Sequence, residues 1–65
     1  MATNKLAYSV LEMAEALSIG KTAAYELVKR EGFPKVVIGT RIVIPIARLE
    51  AWLETEAAKN TEVHI

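Results

Sequence analysis

The chain has 65 residues, no cysteine, one histidine, and eight Lys plus Arg against eight acidic residues, so its net charge is zero. A chain this short forms one small domain, which buries only about 60% of the surface its unfolded state exposes, and without cysteines it has neither disulfide staples nor Cys/His zinc sites. No run of about 18 apolar residues and no apolar N-terminal leader occurs, so a soluble intracellular protein is expected, with no membrane association and no evident small-molecule ligand or cofactor.

Residues 1–7 read as an N-terminal arm. The first helix is announced by Tyr8-Ser9-Val10-Leu11-Glu12-Met13. Ser9 can cap the backbone N–H of Glu12 while the Glu12 carboxylate accepts from the N–H of Ser9, a capping box, and Tyr8 and Met13 are spaced for the accompanying hydrophobic staple. Val10, Met13, Ala14 and Leu17 follow at helical spacing with Glu12 and Glu15 outside, and the helix is expected to end near Leu17 or Ser18.

After Ser18-Ile19-Gly20 a second amphipathic pattern places Gly20, Ala24, Leu27 and Val28 on one face and Thr22, Tyr25, Glu26 and Lys29 towards the other. Gly32 is expected to stop it by adopting positive φ. The short connection brings the two helices into a sharp crossing, with Ile19 as the apolar plug in the angle. Phe33-Pro34 then redirects the chain, and Phe33 is expected in the core.

Val36-Val37-Ile38 and Ile42-Val43-Ile44, separated by Gly39-Thr40-Arg41, form a hairpin signature. A lone hairpin is marginal in water, so this one is expected to lie against the helices. Pro45 sits where a helix can begin, and Ile46, Leu49, Trp52 and Leu53 mark a third helix over about residues 46–58, with Trp52 read as core. The domain thus runs from 8 to 58, and residues 59–65, including His64, read as a flexible tail. The expected fold is α+β: three helices with a two-stranded β-hairpin between the second and third.

Charge is unevenly placed. Residues 21–41 hold Lys21, Lys29, Arg30, Lys35 and Arg41 against Glu26 and Glu31, a net of +3, whereas residues 1–20 carry −1 and residues 42–65 carry −2. The basic middle third is where a nucleic-acid footprint would fall, although ordinary solvated surface charge explains it equally well.

Taken together, Tyr8-Ser9 leading into Leu11-x-x-Ala14-x-x-Leu17, the turn Ser18 to Thr22, Tyr25-x-Leu27-Val28-Lys29-Arg30, Phe33-Pro34-x-Val36, Ile38-Gly39-x-Arg41-x-Val43-Ile44-Pro45 and Leu49-x-x-Trp52-Leu53 resemble the excisionase family of DNA-binding domains, MerR-related winged helix-turn-helix proteins. The resemblance covers residues 8–54. It implies a bacterial cytoplasmic, nucleoid-associated protein of a phage, conjugative transposon or similar element. Such a protein binds double-stranded DNA site-specifically, and either bends it to direct a tyrosine integrase towards excision or regulates transcription. Gly20 stands where the family usually has a serine cap, and Thr40 where an arginine is common at the wing tip.

On this reading Lys21, Thr22, Ala23, Tyr25, Glu26, Lys29 and Arg30 form the recognition-helix surface, and Lys35, Gly39, Thr40 and Arg41 the wing. Lys21 and Thr22 lie at a helix N-terminus, where free N–H groups and the dipole favour phosphate. Glu26 can accept from cytosine N4 or pair with Arg30 at i, i+4. Tyr25 either donates to a phosphate or covers the junction of helix and wing. Arg41 suits a narrow A·T-rich minor groove, while Lys29, Arg30 and Lys35 suit backbone contacts. No metal constellation, Gly-rich phosphate loop or paired nucleophile and base occurs, so an enzyme is not expected. An interaction module remains the alternative from another class, its acidic third helix (Glu50, Glu54, Glu56) binding a recombinase or another copy. With so few cations, one protomer is expected to bind a narrow footprint weakly and to need cooperative self-association on DNA.

Overall fold

Residues 5–59 are described by the computed structural model. The chain enters helix α1 (Val10–Leu17) through the expected capping box: Glu12 N–H donates to Ser9 Oγ at 3.1 Å, and Ser9 N–H donates to Glu12 Oε1 at 2.9 Å. Lys5 also pairs with Glu12. The Lys5 ammonium first, and the Ser9 N–H second, hold the Glu12 carboxyl below its ordinary value.

The residues before the cap do more than lead into a helix. Ala7–Ser9 form a strand, β1, that the sequence pattern had not separated from the arm and the capping box. Ala7, within the expected arm, is already part of the sheet, while Met1 to Asn4 lie outside the described residues.

Helix α1 ends where expected, in a Schellman motif. Ser18 takes the left-handed conformation (φ 58°, ψ 42°), its N–H donates to Glu15 O at 3.1 Å, and Ile19 N–H donates to Ala14 O at 2.9 Å. That geometry turns the Ile19 side chain inward against the core, which is the plug role expected of it. Helix α2 (Lys21–Val28) follows at once.

Helix α2 stops earlier than the Gly32 signal suggested. Gly32 does adopt positive φ (+86°), but α-helix ends at Val28 and the chain continues through tightened turns, with Arg30 N–H donating to Leu27 O and Phe33 N–H to Arg30 O. At that end Lys35 Nζ donates to Val28 O at 2.7 Å, satisfying one of the carbonyls that the helix leaves without an N–H partner.

Two further strands, β2 (Val36–Ile38) and β3 (Arg41–Pro45), make the hairpin, and β1 pairs with the other edge of β3. The sheet is therefore three-stranded and antiparallel in the order β1-β3-β2, with Tyr8 opposite Ile44 and Val37 opposite Ile42. Ile38 faces Arg41, so the turn is Gly39-Thr40 and Arg41 already belongs to β3. Only Gly39 has positive φ (+63°), the pattern of a type II′ turn.

Helix α3 (Ile46–Ala58) matches the expected bounds, with Pro45 as its cap residue. The N–H of Ile46 donates to Leu6 O at 2.9 Å, so the segment leading into β1 also steadies the start of α3. Of the expected tail, Lys59 is the C-cap of α3, and residues 60–65, His64 among them, lie outside the described residues.

The core comprises Val10, Met13, Ala14, Ala24, Leu27, Val28, Phe33, Ile44 and Leu49, with Tyr8, Leu17, Ile42 and Trp52 packed around it. Trp52 is half-buried and meets Phe33 edge to face at 5.0 Å, an arrangement worth about 0.5–1.5 kcal/mol beyond its buried area. One expectation is corrected: the hairpin as a whole does not lie against the helices. Strand β3 does, through Ile42 and Ile44, whereas every residue of β2 is exposed. The outer strand is held by its ladder to β3, which β1 braces from the far side.

Candidate nucleic-acid interface

The exposed face of α2 is set by its own periodicity. Ala24, Leu27 and Val28 are buried, which turns Lys21, Thr22, Tyr25, Glu26 and Lys29 outward and leaves Ala23 half-buried at the margin. At the helix start, Gly20 has extended backbone and no side chain to cap, and Ala24 supplies the first helical bond by donating to Gly20 O at 3.0 Å. The N–H groups of Lys21, Thr22 and Ala23 therefore have no intrahelical acceptor and point outward along the dipole.

Tyr25 lies where α2 approaches the wing. Together with Leu11 of α1 and with Thr40, Arg41 and Ile42 of the hairpin it lines one groove. The structure thus brings the middle of α2 and the tip of the wing to one side, with Gly39 and Thr40 exposed at the tip. Leu11 was not among the expected site residues. Its position off the Val10, Met13, Ala14, Leu17 stripe was a signal available in the sequence, and the structure leaves it 52% exposed.

Glu26 does not pair with Arg30. Its neighbour is Lys29, with 3.9 Å between Oε2 and Nζ. Both groups are exposed, so the pair is worth little and competes weakly with other contacts. Arg30 lies elsewhere, lining a second groove with Phe33, Pro34, Arg48 and Trp52. Lys35 is committed to the C-terminus of α2. Neither Arg30 nor Lys35 joins the groove beside Tyr25.

Two short helices crossing at a tight turn, with the second helix and an adjoining hairpin tip exposed on one side, define a winged helix-turn-helix DNA-binding domain. Residues 7–57 match the model of the family described as helix-turn-helix domain. The chain belongs to that family, which includes excisionase-type DNA-binding domains and is generally non-enzymatic, and it is a sequence-specific DNA-binding protein. No curated protein and no solved structure matches the chain. Among the described residues no helix is long and apolar enough to cross a membrane.

Proposed function

We propose that the protein is an excisionase, a recombination directionality factor that binds repeated sites near the ends of a mobile element, bends the DNA and directs a tyrosine integrase towards excision. The observation that carries the reading is the groove that Tyr25 of α2 shares with Thr40 and Arg41 of the hairpin, which supports contact of both elements with one duplex. A body of that shape spans a major groove and the adjacent minor groove.

In this reading the open N–H groups of α2, with Lys21 and Thr22, take a phosphate. Ala23 and Glu26 face base edges, the methyl meeting a thymine methyl and the carboxylate accepting from cytosine N4. Lys29 and Tyr25 hold flanking backbone, and Arg41 enters the minor groove beside the Gly39-Thr40 turn. Arg30 and Lys35 are left out because their side chains serve other surfaces. Helix α2 has eight residues, about 12 Å of helix, so one protomer reads few base pairs and the specificity of the assembly comes from several copies.

The test is a footprint on the element's ends combined with in vitro excision by its integrase. Protected repeats and protein-dependent excision are expected. Protection confined to a promoter, with excision independent of the protein, would replace this reading with transcriptional regulation.

A further inference from the structure

We infer that Ile38 is a wedge that enters a base step through the minor groove and bends the DNA, with Arg41 beside it as the electrostatic anchor. The inference rests on the proposed entry of Arg41 into the minor groove and supplies what that reading lacks, a source for the bend. Ile38 and Arg41 are opposite partners on β2 and β3, directly flanking the Gly39-Thr40 turn. Opposite partners project from the same face of an antiparallel pair, with their Cα atoms about 5.5 Å apart where the two residues exchange hydrogen bonds. A groove that receives the Arg41 side chain therefore receives Ile38 as well.

Ile38 is 63% exposed, the most exposed large apolar side chain of the sheet. The helices cover the opposite face, the one bearing Ile42 and Ile44, so no core residue among those described packs on it. The wing tip is continuous with the groove that Tyr25 shares with Thr40 and Arg41, and residues 36–45 contain no acidic side chain to oppose the phosphates that border a minor groove. That groove is about 6 Å wide, so two side chains abreast enter it only as it opens. The guanidinium can donate to the base-edge acceptors at its floor. The branched apolar side chain has no hydrogen bond to make there and leaves water by passing between two base pairs. Apolar side chains inserted in this way partly unstack the step and kink the duplex towards its major groove by about 20–90°. Pyrimidine–purine steps unstack most easily, so the wedge selects such a step without a hydrogen bond to it. Val36 projects from the same face but lies two residues further from the tip, outside the reach of the wedge.

The test uses the full chain and a duplex carrying one footprinted site, whether that site lies at an element's end or in a promoter. Dyes on the two ends report the bend, and 2-aminopurine placed in turn at each adenine across the protected minor groove reports unstacking. Wild type is expected to draw the ends together and to raise the fluorescence at one step severalfold. Ile38→Thr keeps a β-branched residue at an exposed strand position, so it folds. It is expected to bind while leaving the fluorescence as in the free duplex and the ends apart. Ile38→Leu is expected to restore both signals, and Val36→Thr to match wild type. Bending and brightening by Ile38→Thr equal to those of wild type, or a wild-type complex in which every step stays dark, would overturn the inference. Arg41→Ala separates the wedge from the reading beneath it. Unchanged one-site affinity in that variant would overturn minor-groove entry and the wedge with it, whereas the expected loss beside normal bending by Ile38→Thr would overturn the wedge alone. Excision independent of the protein, with both signals as expected, would overturn the proposed function and leave the wedge standing.

Discussion

Strands β2 and β3 contain nearly the same triplet, Val36-Val37-Ile38 and Ile42-Val43-Ile44, and meet opposite fates. In β3 Ile44 has no exposed surface and Ile42 packs on the core, whereas Val37 and Ile38 of β2 are 58% and 63% exposed. Composition makes both segments strands, since β-branched side chains suit a pleated surface. Position in the sheet makes one of them core and the other edge. Strand β3 is central because β1 claims its second edge, and the helices cover the face bearing Ile42 and Ile44. Strand β2 lies one strand further out, beyond them, and stays exposed.

The comparison breaks most visibly at Ile44. Ile44→Ala should cost about 2–5 kcal/mol, much of the roughly 3–10 kcal/mol available to a chain of this size, while Ile38→Ala should stay within about 0.5 kcal/mol in the free protein. Urea unfolding of both variants tests this, and equal losses would mean that the hairpin packs as a unit. Arg41→Ala should reverse the ordering: unfolding unaffected, but specific DNA binding weakened by about 1–3 kcal/mol and the salt slope reduced by about one. Titrations at several salt concentrations check it.

A smaller effect separates the two tight turns. The wing places glycine at its positive-φ position, whereas the inter-helix turn places Ser18 there. Ser18→Gly should stabilise the fold by about 0.5–1 kcal/mol, less than the full left-handed cost because glycine also loosens the unfolded chain. Thermal unfolding at constant pH measures the gain.

The smallest expected effect lies at the packed end, where Glu12 ties α1 to the entering chain. Its carboxyl titrates lower folded than unfolded. The resulting stability is present above the ordinary glutamate value of about 4.3 and is lost as pH falls through the lower folded value. Wild type should therefore exceed Glu12→Gln in stability at neutral pH, with the difference closing below about pH 4. A difference independent of pH would sink that account, since glutamine keeps the neutral part of the capping box.

Local signals were legible wherever neighbours in sequence are also neighbours in space. The Ser9/Glu12 capping box, the bounds of α3, the hairpin, and the outward face of α2 from Lys21 to Lys29 all follow from spacings of a few residues. Strand β1 was hidden because three residues doubling as a helix entry carry no pattern of their own, and only pairing with β3 makes them a strand. The end of α2 was misplaced because the tightened turns from Lys29 to Phe33, and the Lys35 hydrogen bond to Val28 O from seven residues on, leave no mark in the periodicity of the helix. Among the basic residues, spacing could not distinguish Arg41, which the fold sets beside Tyr25, from Arg30, which it turns towards Arg48 and Trp52.

The chain alone therefore determined its elements, their amphipathic faces and the stretch that holds the excess positive charge. The tertiary structure decided which strand is buried and which cation shares a groove with the exposed face of α2. Propensity and periodicity act over one or two turns, whereas burial and charge grouping depend on contacts between residues far apart in sequence.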